Sequence, residues 1–354
     1  MKTFARYYGY IMKKSIVRTV IFAIIGLAIV WISAQTGIDD LNEGYYSWSG
    51  EYYDHRVTNI GEISTVLGFV CGLIPFFELA AFKNRRNLDT LYFFPIKRWK
   101  LALAHYLSGL TQIIAVHSLC FFVSWIFYAV RTDYFALEYM FPYFLSSLGL
   151  GIIIYSIFMF INAQANTVVD GVLFSILWIF ALFMVFIVAV GVAEAVTGDK
   201  SLLREYGSIG EWLILFTPLN NVTVIFQQLI HVNNTNRNME IAREYYSALY
   251  MVAVWAVLGI GAIAGYFLTF IKKGAQKAGE VSDTLVGYRV LIPLYCITLM
   301  TLFEGVSLMM VFVVAMTVVG YVIFRRGFKF KLPDILSMVG SVLLGIVFAV
   351  IIAN

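Results

Sequence analysis

Apolar runs of about 20 residues recur along the chain, separated by short polar or basic segments. A helix that crosses the hydrocarbon core of a bilayer needs about 20 mostly apolar residues. Ser15–Ala34, Ile63–Phe82, Leu101–Val130, Phe141–Ala163, Val172–Val196 and Ser247–Ile271 satisfy that pattern. Val290–Phe303, Val306–Phe324 and Ile335–Ile352 follow, the first of them short and joined to the second by Glu304-Gly305. The pattern predicts an all-α integral membrane protein, a polytopic helical bundle of about nine transmembrane helices.

Two stretches depart from that rhythm. Ile209–Val232 is apolar enough to suggest another crossing, but Pro218, Asn220 and Asn221 interrupt it. It is expected to be an external helical hairpin within 197–245 that dips partly into the membrane, where protein can cover its broken backbone. Phe4–Lys14 mixes Phe4, Tyr7, Tyr8, Tyr10 and Ile11 with basic residues, as in a helix lying along the inner membrane surface. Ser15–Ala34 has no small-residue cleavage site after it and is read as a retained first span.

Composition agrees with a chain that faces lipid. Of 354 residues, 61% are hydrophobic and 13% charged, with mean hydropathy +0.83. Soluble domains run near 45–50% apolar and about 25% charged, and a core of this size cannot hide the difference. Net charge is +4, but the cations fall between apolar runs rather than on one polar face. That argues against nucleic acid as a partner and bears instead on orientation. With the N-terminus inside, Lys2–Arg18 supplies five basic residues, Lys83–Lys100 six, Lys272–Arg289 four and Arg325–Lys331 four. Arg56, Arg131, Lys200, Arg204, Arg237 and Arg243 stay outside. Nineteen cations against six favour a cytoplasmic N-terminus.

The segment between the second and third spans carries the most information. It runs from Glu78 through Lys83, Arg85, Arg86, Leu88, Asp89, Leu91, Tyr92, Pro95, Ile96, Lys97 and Arg98 to Lys100. Leu88, Leu91 and Tyr92 stand at i, i+3 and i+4, giving a short helix one apolar face; Pro95 ends it. Such a helix could dock a cytoplasmic partner or be an ordinary basic loop of the inner face.

This order, an acid closing the second span, then Arg, Asp and Leu-x-x-x-Pro-Ile-x-Arg, resembles the permease subunits of type-2 ATP-binding-cassette exporters. Within them it is most similar to the Gram-positive permeases of antibiotic-peptide and cell-envelope-stress systems. The resemblance covers roughly residues 1–279 and implies an interfacial N-terminal helix, six core spans, a coupling helix at 83–100 and external helices at 197–245. Glu78, Arg85, Asp89, Leu91, Pro95, Ile96 and Arg98 match its loop, and Arg86, Leu88 and Tyr92 lie within the same coupling segment. The stretch Lys272-Lys273-Gly-Ala-Gln-Lys277-Ala278-Gly279 is similar to the family's segment after the sixth span. Implied partners are a separate ATPase, which would bind ATP and Mg, a second permease copy or paralogue, and the lipids of a bacterial cell membrane. Residues 280–354, three further spans, exceed the family's usual six.

The chain itself shows no phosphate-binding loop, since Gly198-Asp199-Lys200-Ser201 lacks the glycine spacing. Leu107-Ser108-Gly109-Leu110-Thr111-Gln112 faintly echoes a cassette signature but lies inside the third span. Neither a catalytic constellation nor a metal-ligand spacing is visible, and Cys71, Cys120 and Cys296 read as small apolar core residues. His105 and His117, ~18 Å apart along one helix, are expected to hydrogen-bond neighbouring helices separately. Glu194 and Glu304 are expected to snorkel to water, and no Asp/Glu/His chain for proton coupling is apparent. Gly68-x-x-x-Gly72 and Gly261-x-x-x-Gly265 are candidate close-packing seams. The first outer loop, with Asp39, Asp40, Glu43, Glu51, Asp54 and Glu62 among tyrosines, reads as a solvated loop with an aromatic belt or as a capture surface for cationic peptides.

Overall fold

The computed structural model describes residues 2–43, 61–84, 96–131, 139–197, 217–234, 240–273, 278–280, 282–284, 286–303 and 307–353. Within a bilayer core, backbone amides and carbonyls find partners only inside their own segment, so apolar runs close into helices. The helices are α1 (Lys2–Glu43), α2 (Gly61–Leu79), α3 (Arg98–Arg131), α4 (Met140–Gln164) and α5 (Val168–Thr197). They continue as α6 (Pro218–Asn234), α7 (Glu240–Lys272), α8 (Tyr288–Leu302), α9 (Ser307–Arg325) and α10 (Leu332–Ala353). A 3-10 turn, Ala80–Lys83, follows α2. No strand occurs among the described residues.

Eight of these helices are long and apolar enough to cross a membrane, which makes this a multi-pass membrane protein. The exceptions are α6 and α8. The stretch expected as a short seventh span holds the 15-residue α8, about 22 Å long at 1.5 Å per residue, which is not among those eight.

Three expectations change in detail. Phe4–Lys14 is not a separate surface helix: it is continuous with the first span in the 42-residue α1. Tyr7 and Ile11 are buried there, so this stretch packs on protein. Within 209–232 the structure describes 217–232: Pro218, where a break is expected, opens α6, so its missing N–H costs nothing, whereas Asn220 and Asn221 interrupt nothing and lie inside that helix. The Thr217 carbonyl accepts from the Asn220 and Asn221 amides at 3.1 and 3.3 Å. Of the two glycine seams, a Cβ on Gly68 or Gly72 would make only ordinary contacts, and one on Gly261 would meet nothing. Gly265 of the second seam does pack closely, against Phe160, as does Gly259 against Ile153.

The chain divides into two compact units. The first comprises Met1–Phe82, Arg86–Phe160 and Thr217–Lys273. Here α3 is central, with α1, α2 and α7 packed on it. Its core is aromatic: Tyr106, Tyr155 and Tyr266 are buried together. Each hydroxyl is satisfied, Tyr155 donating to the Tyr106 carbonyl at 3.0 Å, Tyr266 to the Ala102 carbonyl at 3.1 Å, and Tyr106 pairing with Ser156 at 2.7 Å. The start of α1, the end of α2, the start of α3 and the end of α7 all meet at one end of this unit.

The second unit comprises Lys83–Arg85, Ile161–Phe216 and Gly274–Asn354. In it α8 packs on α5, α9 and α10 around Cys296, Met300 and Val313. Asp170, in the first turn of α5, accepts from the Ser282 hydroxyl at 2.5 Å and the Tyr288 hydroxyl at 3.0 Å. Tyr288 in turn packs on Phe324 near the end of α9. The start of α5, the start of α8 and the end of α9 therefore adjoin. Since α8 begins where α9 ends, the two run antiparallel.

Candidate functional site

A polar face on an apolar helix has to find partners, because an unsatisfied polar group in a dry interior costs several kcal/mol, about 2–7 by most measures. Helix α3 carries such a face: His105, Ser108 and Gln112 stand at i, i+3 and i+7 and are all buried. It meets Glu78, in the last turn of α2, whose side chain is 1% exposed.

Four side chains converge on the Glu78 carboxylate. Oε1 accepts from the Arg18 guanidinium of α1, from Gln112 Nε2 at 2.8 Å and from the Ser108 hydroxyl at 3.2 Å. Oε2 lies 3.0 Å from His105 Nδ1. With Nδ1–H donated to the carboxylate, Nε2 accepts from the Tyr7 hydroxyl at 3.0 Å. Arg18 also donates through Nε to Gln112 Oε1 at 3.0 Å and lies over the Phe77 ring. Beside this network Tyr8 pairs with Thr111 at 2.7 Å. The result is an unbroken series, Tyr7–His105–Glu78–Arg18–Gln112, tying α1, α2 and α3 together.

The charges of Arg18 and Glu78 offset each other inside the network. Each charge is nonetheless committed to the other, since removing either partner of a buried pair costs about 3–5 kcal/mol. Intramembrane ionisable groups are functional candidates for that reason.

Glu78 belongs to this network and does not face outward; it can act on a partner only through the helices it joins. Ile96 is half-buried and Arg98 exposed. Arg98 donates through Nη1 to the carbonyls of Ile271 and Lys273, both at 3.4 Å, which pins the start of α3 to the end of α7. Arg85, Arg86, Leu88, Asp89, Leu91, Tyr92 and Pro95 lie outside the described residues, as do Glu304 and most of the acidic first outer loop.

Three expectations are corrected here. Among the described residues a single acid–histidine pair does exist, formed by Glu78 and His105 from different helices; the sequence hides it because the two are 27 positions apart. Arg18, counted with the cytosolic cations, is half of an ion pair within a membrane-length helix. Glu194 is 5% exposed and does not snorkel. His117 pairs separately with Ser147 at 3.1 Å and stacks on Phe144, as expected of a helix-to-helix contact. The three cysteines are buried and free. Among the described residues no group of His, Cys, Asp and Glu could hold a metal ion.

Compared with known proteins, the chain matches no family model and no curated sequence.

Proposed function

We propose that this chain is the transmembrane permease subunit of an ATP-binding-cassette exporter. A separate ATPase drives it, and it works with a second permease copy or paralogue in the cell membrane. Its cargo would be amphipathic: a peptide, a lipid-like compound or an antibiotic. The observation that carries the reading is the Glu78–Arg98 segment, whose residue order resembles the coupling loop of such permeases. The geometry of the first unit supports it. Glu78 fastens one end of that segment to α1 and α3, and Arg98 fastens the other to α7. A push on the segment would therefore reach four helices at once.

The same reading has nine crossings and a cytosolic N-terminus. Its support is that, within each unit, the segments expected inside gather at one end. In the second unit α8 and α9 run antiparallel from a shared end, and the 15-residue α8 is only four residues shorter than the 19-residue α9, which supports a crossing by both. In the test, Arg85→Glu with Arg86→Glu, or Leu91→Asp with Pro95→Ala, should abolish association with the ATPase. Retained association in both variants overturns the assignment.

The Glu78–His105 pairing favours one alternative, an ATP-independent carrier coupled to protons. Flux driven by a pH gradient in ATP-free vesicles, lost in Glu78→Gln, would establish that reading in place of the first.

A further inference from the structure

Between α9 and α10 lies Arg325-Arg326-Gly327-Phe328-Lys329-Phe330-Lys331, a turn that the permease reading leaves unused. The end of α9 closes as a Schellman motif: the Gly327 amide donates to the Val322 carbonyl at 3.0 Å and the Arg326 amide to the Ile323 carbonyl at 3.2 Å. The motif puts Arg326 in the left-handed region at φ 53°. Glycine is the unstrained residue at that position, yet here it holds an exposed arginine. Backbone strain retained outside a core points to a use for the side chain.

The neighbouring charges are sorted in a particular way. Asp334 takes both prongs of Arg325, at 2.8 and 2.6 Å, and the Lys331 amide at 3.0 Å. That closes the turn and uses up the acid nearest to it. Asp283 is matched by Arg289 at 2.7 Å. Arg326 and Lys329 remain, and Lys331 shares Asp334 with Arg325; all three cations are exposed. Among them Phe328 is 81% and Leu332 71% exposed. The exposed apolar residues Ile323 and Leu336 begin the lipid-facing rows of α9 and α10 immediately beyond. A turn joining two membrane-length helices lies at headgroup depth. Three exposed cations, of which Arg326 and Lys329 have no acidic partner among the described residues and Lys331 only shares Asp334 with Arg325, surround two bare apolar side chains; the arrangement is complementary to phosphate-bearing headgroups above acyl chains.

We infer that the α9–α10 turn is a binding site for anionic phospholipid headgroups, with Arg326, Lys329 and Lys331 on the phosphates and Phe328 inserted at the acyl boundary. This does not depend on the ATPase reading.

The test uses the full chain in nanodiscs, with Phe328→Cys carrying an environment-sensitive fluorophore; Cys71, Cys120 and Cys296 are buried and leave the label selective. Phosphatidylglycerol titrated into phosphatidylcholine should shift the emission to shorter wavelength, and raised salt should reverse the shift. Each cation near an anionic surface is worth about fivefold in affinity, so Arg326→Gln/Lys329→Gln/Lys331→Gln should weaken the response about a hundredfold and erase it over accessible compositions. Arg326→Gly, which the turn geometry favours, should weaken it about fivefold while leaving the unfolding temperature unchanged or raised. An unaltered response in the triple variant overturns the inference. So does an equal shift with inorganic phosphate in pure phosphatidylcholine, which would make the site one for a soluble phosphate.

Discussion

Removing the Glu78 carboxylate should expose how much the network holds. In Glu78→Leu the guanidinium of Arg18 loses its counter-charge, and Gln112, Ser108 and His105 lose an acceptor. Breaking a buried pair costs about 3–5 kcal/mol, and the partial exposure of Arg18 sets the expectation near the lower bound. Arg18→Met should cost a similar amount by stranding Glu78. The double variant replaces both charges by apolar groups, a change that is often neutral or better. Its cost should fall below the sum of the singles by at least about 2 kcal/mol, well outside the scatter of independent sites. The assay is equilibrium unfolding of the purified full-length protein in one detergent, with all four members of the cycle measured together. Additive losses would mean that Arg18 and Glu78 do not depend on each other, and the network would fail as an account of how α1, α2 and α3 are joined.

Tyr7→Phe should lose one hydrogen bond to His105, about 1 kcal/mol in the same unfolding assay, and His105→Phe more, because it also strips Glu78. Gly109→Ala places a methyl 2.8 Å from Tyr155 Cζ and 3.0 Å from Ile74 Cγ2. It should destabilise by about 1–3 kcal/mol, with the loss reduced in a Tyr155→Leu background. Pro218→Ala, at the first position of α6, should change stability by less than about 0.5 kcal/mol. Asp334→Asn loosens the fork to Arg325 and should lower the thermal midpoint, whereas Lys329→Gln on the same turn should leave it unmoved.

The long helices are legible in the sequence because lipid leaves an apolar run no other solution. α6 and α8 are harder to read: one is opened by the proline that looks like a break, and the other is too short for composition alone to place. The i, i+3, i+7 polar face of His105, Ser108 and Gln112 could have been found by spacing on α3. What spacing cannot give is the partner. Arg18 and Glu78 are 60 positions apart, and their meeting depends on the azimuth of three helices, fixed by contacts such as Gly26, where a Cβ would come within 2.7 Å of Cys120 Sγ. Arg326 at positive φ was equally hidden, since the following Gly327 is the residue that composition suggests for that role.

Photocrosslinking from position 91 in sealed inside-out membrane vesicles probes the coupling segment most directly. A crosslinker at Leu91 should capture a separate polypeptide bearing a Gly-x-x-x-x-Gly-Lys-Ser/Thr loop, and a membrane-impermeant thiol reagent should reach Leu91→Cys only from the cytosolic face. Labelling from the outer face, or no ATPase in the adduct, would contradict the account.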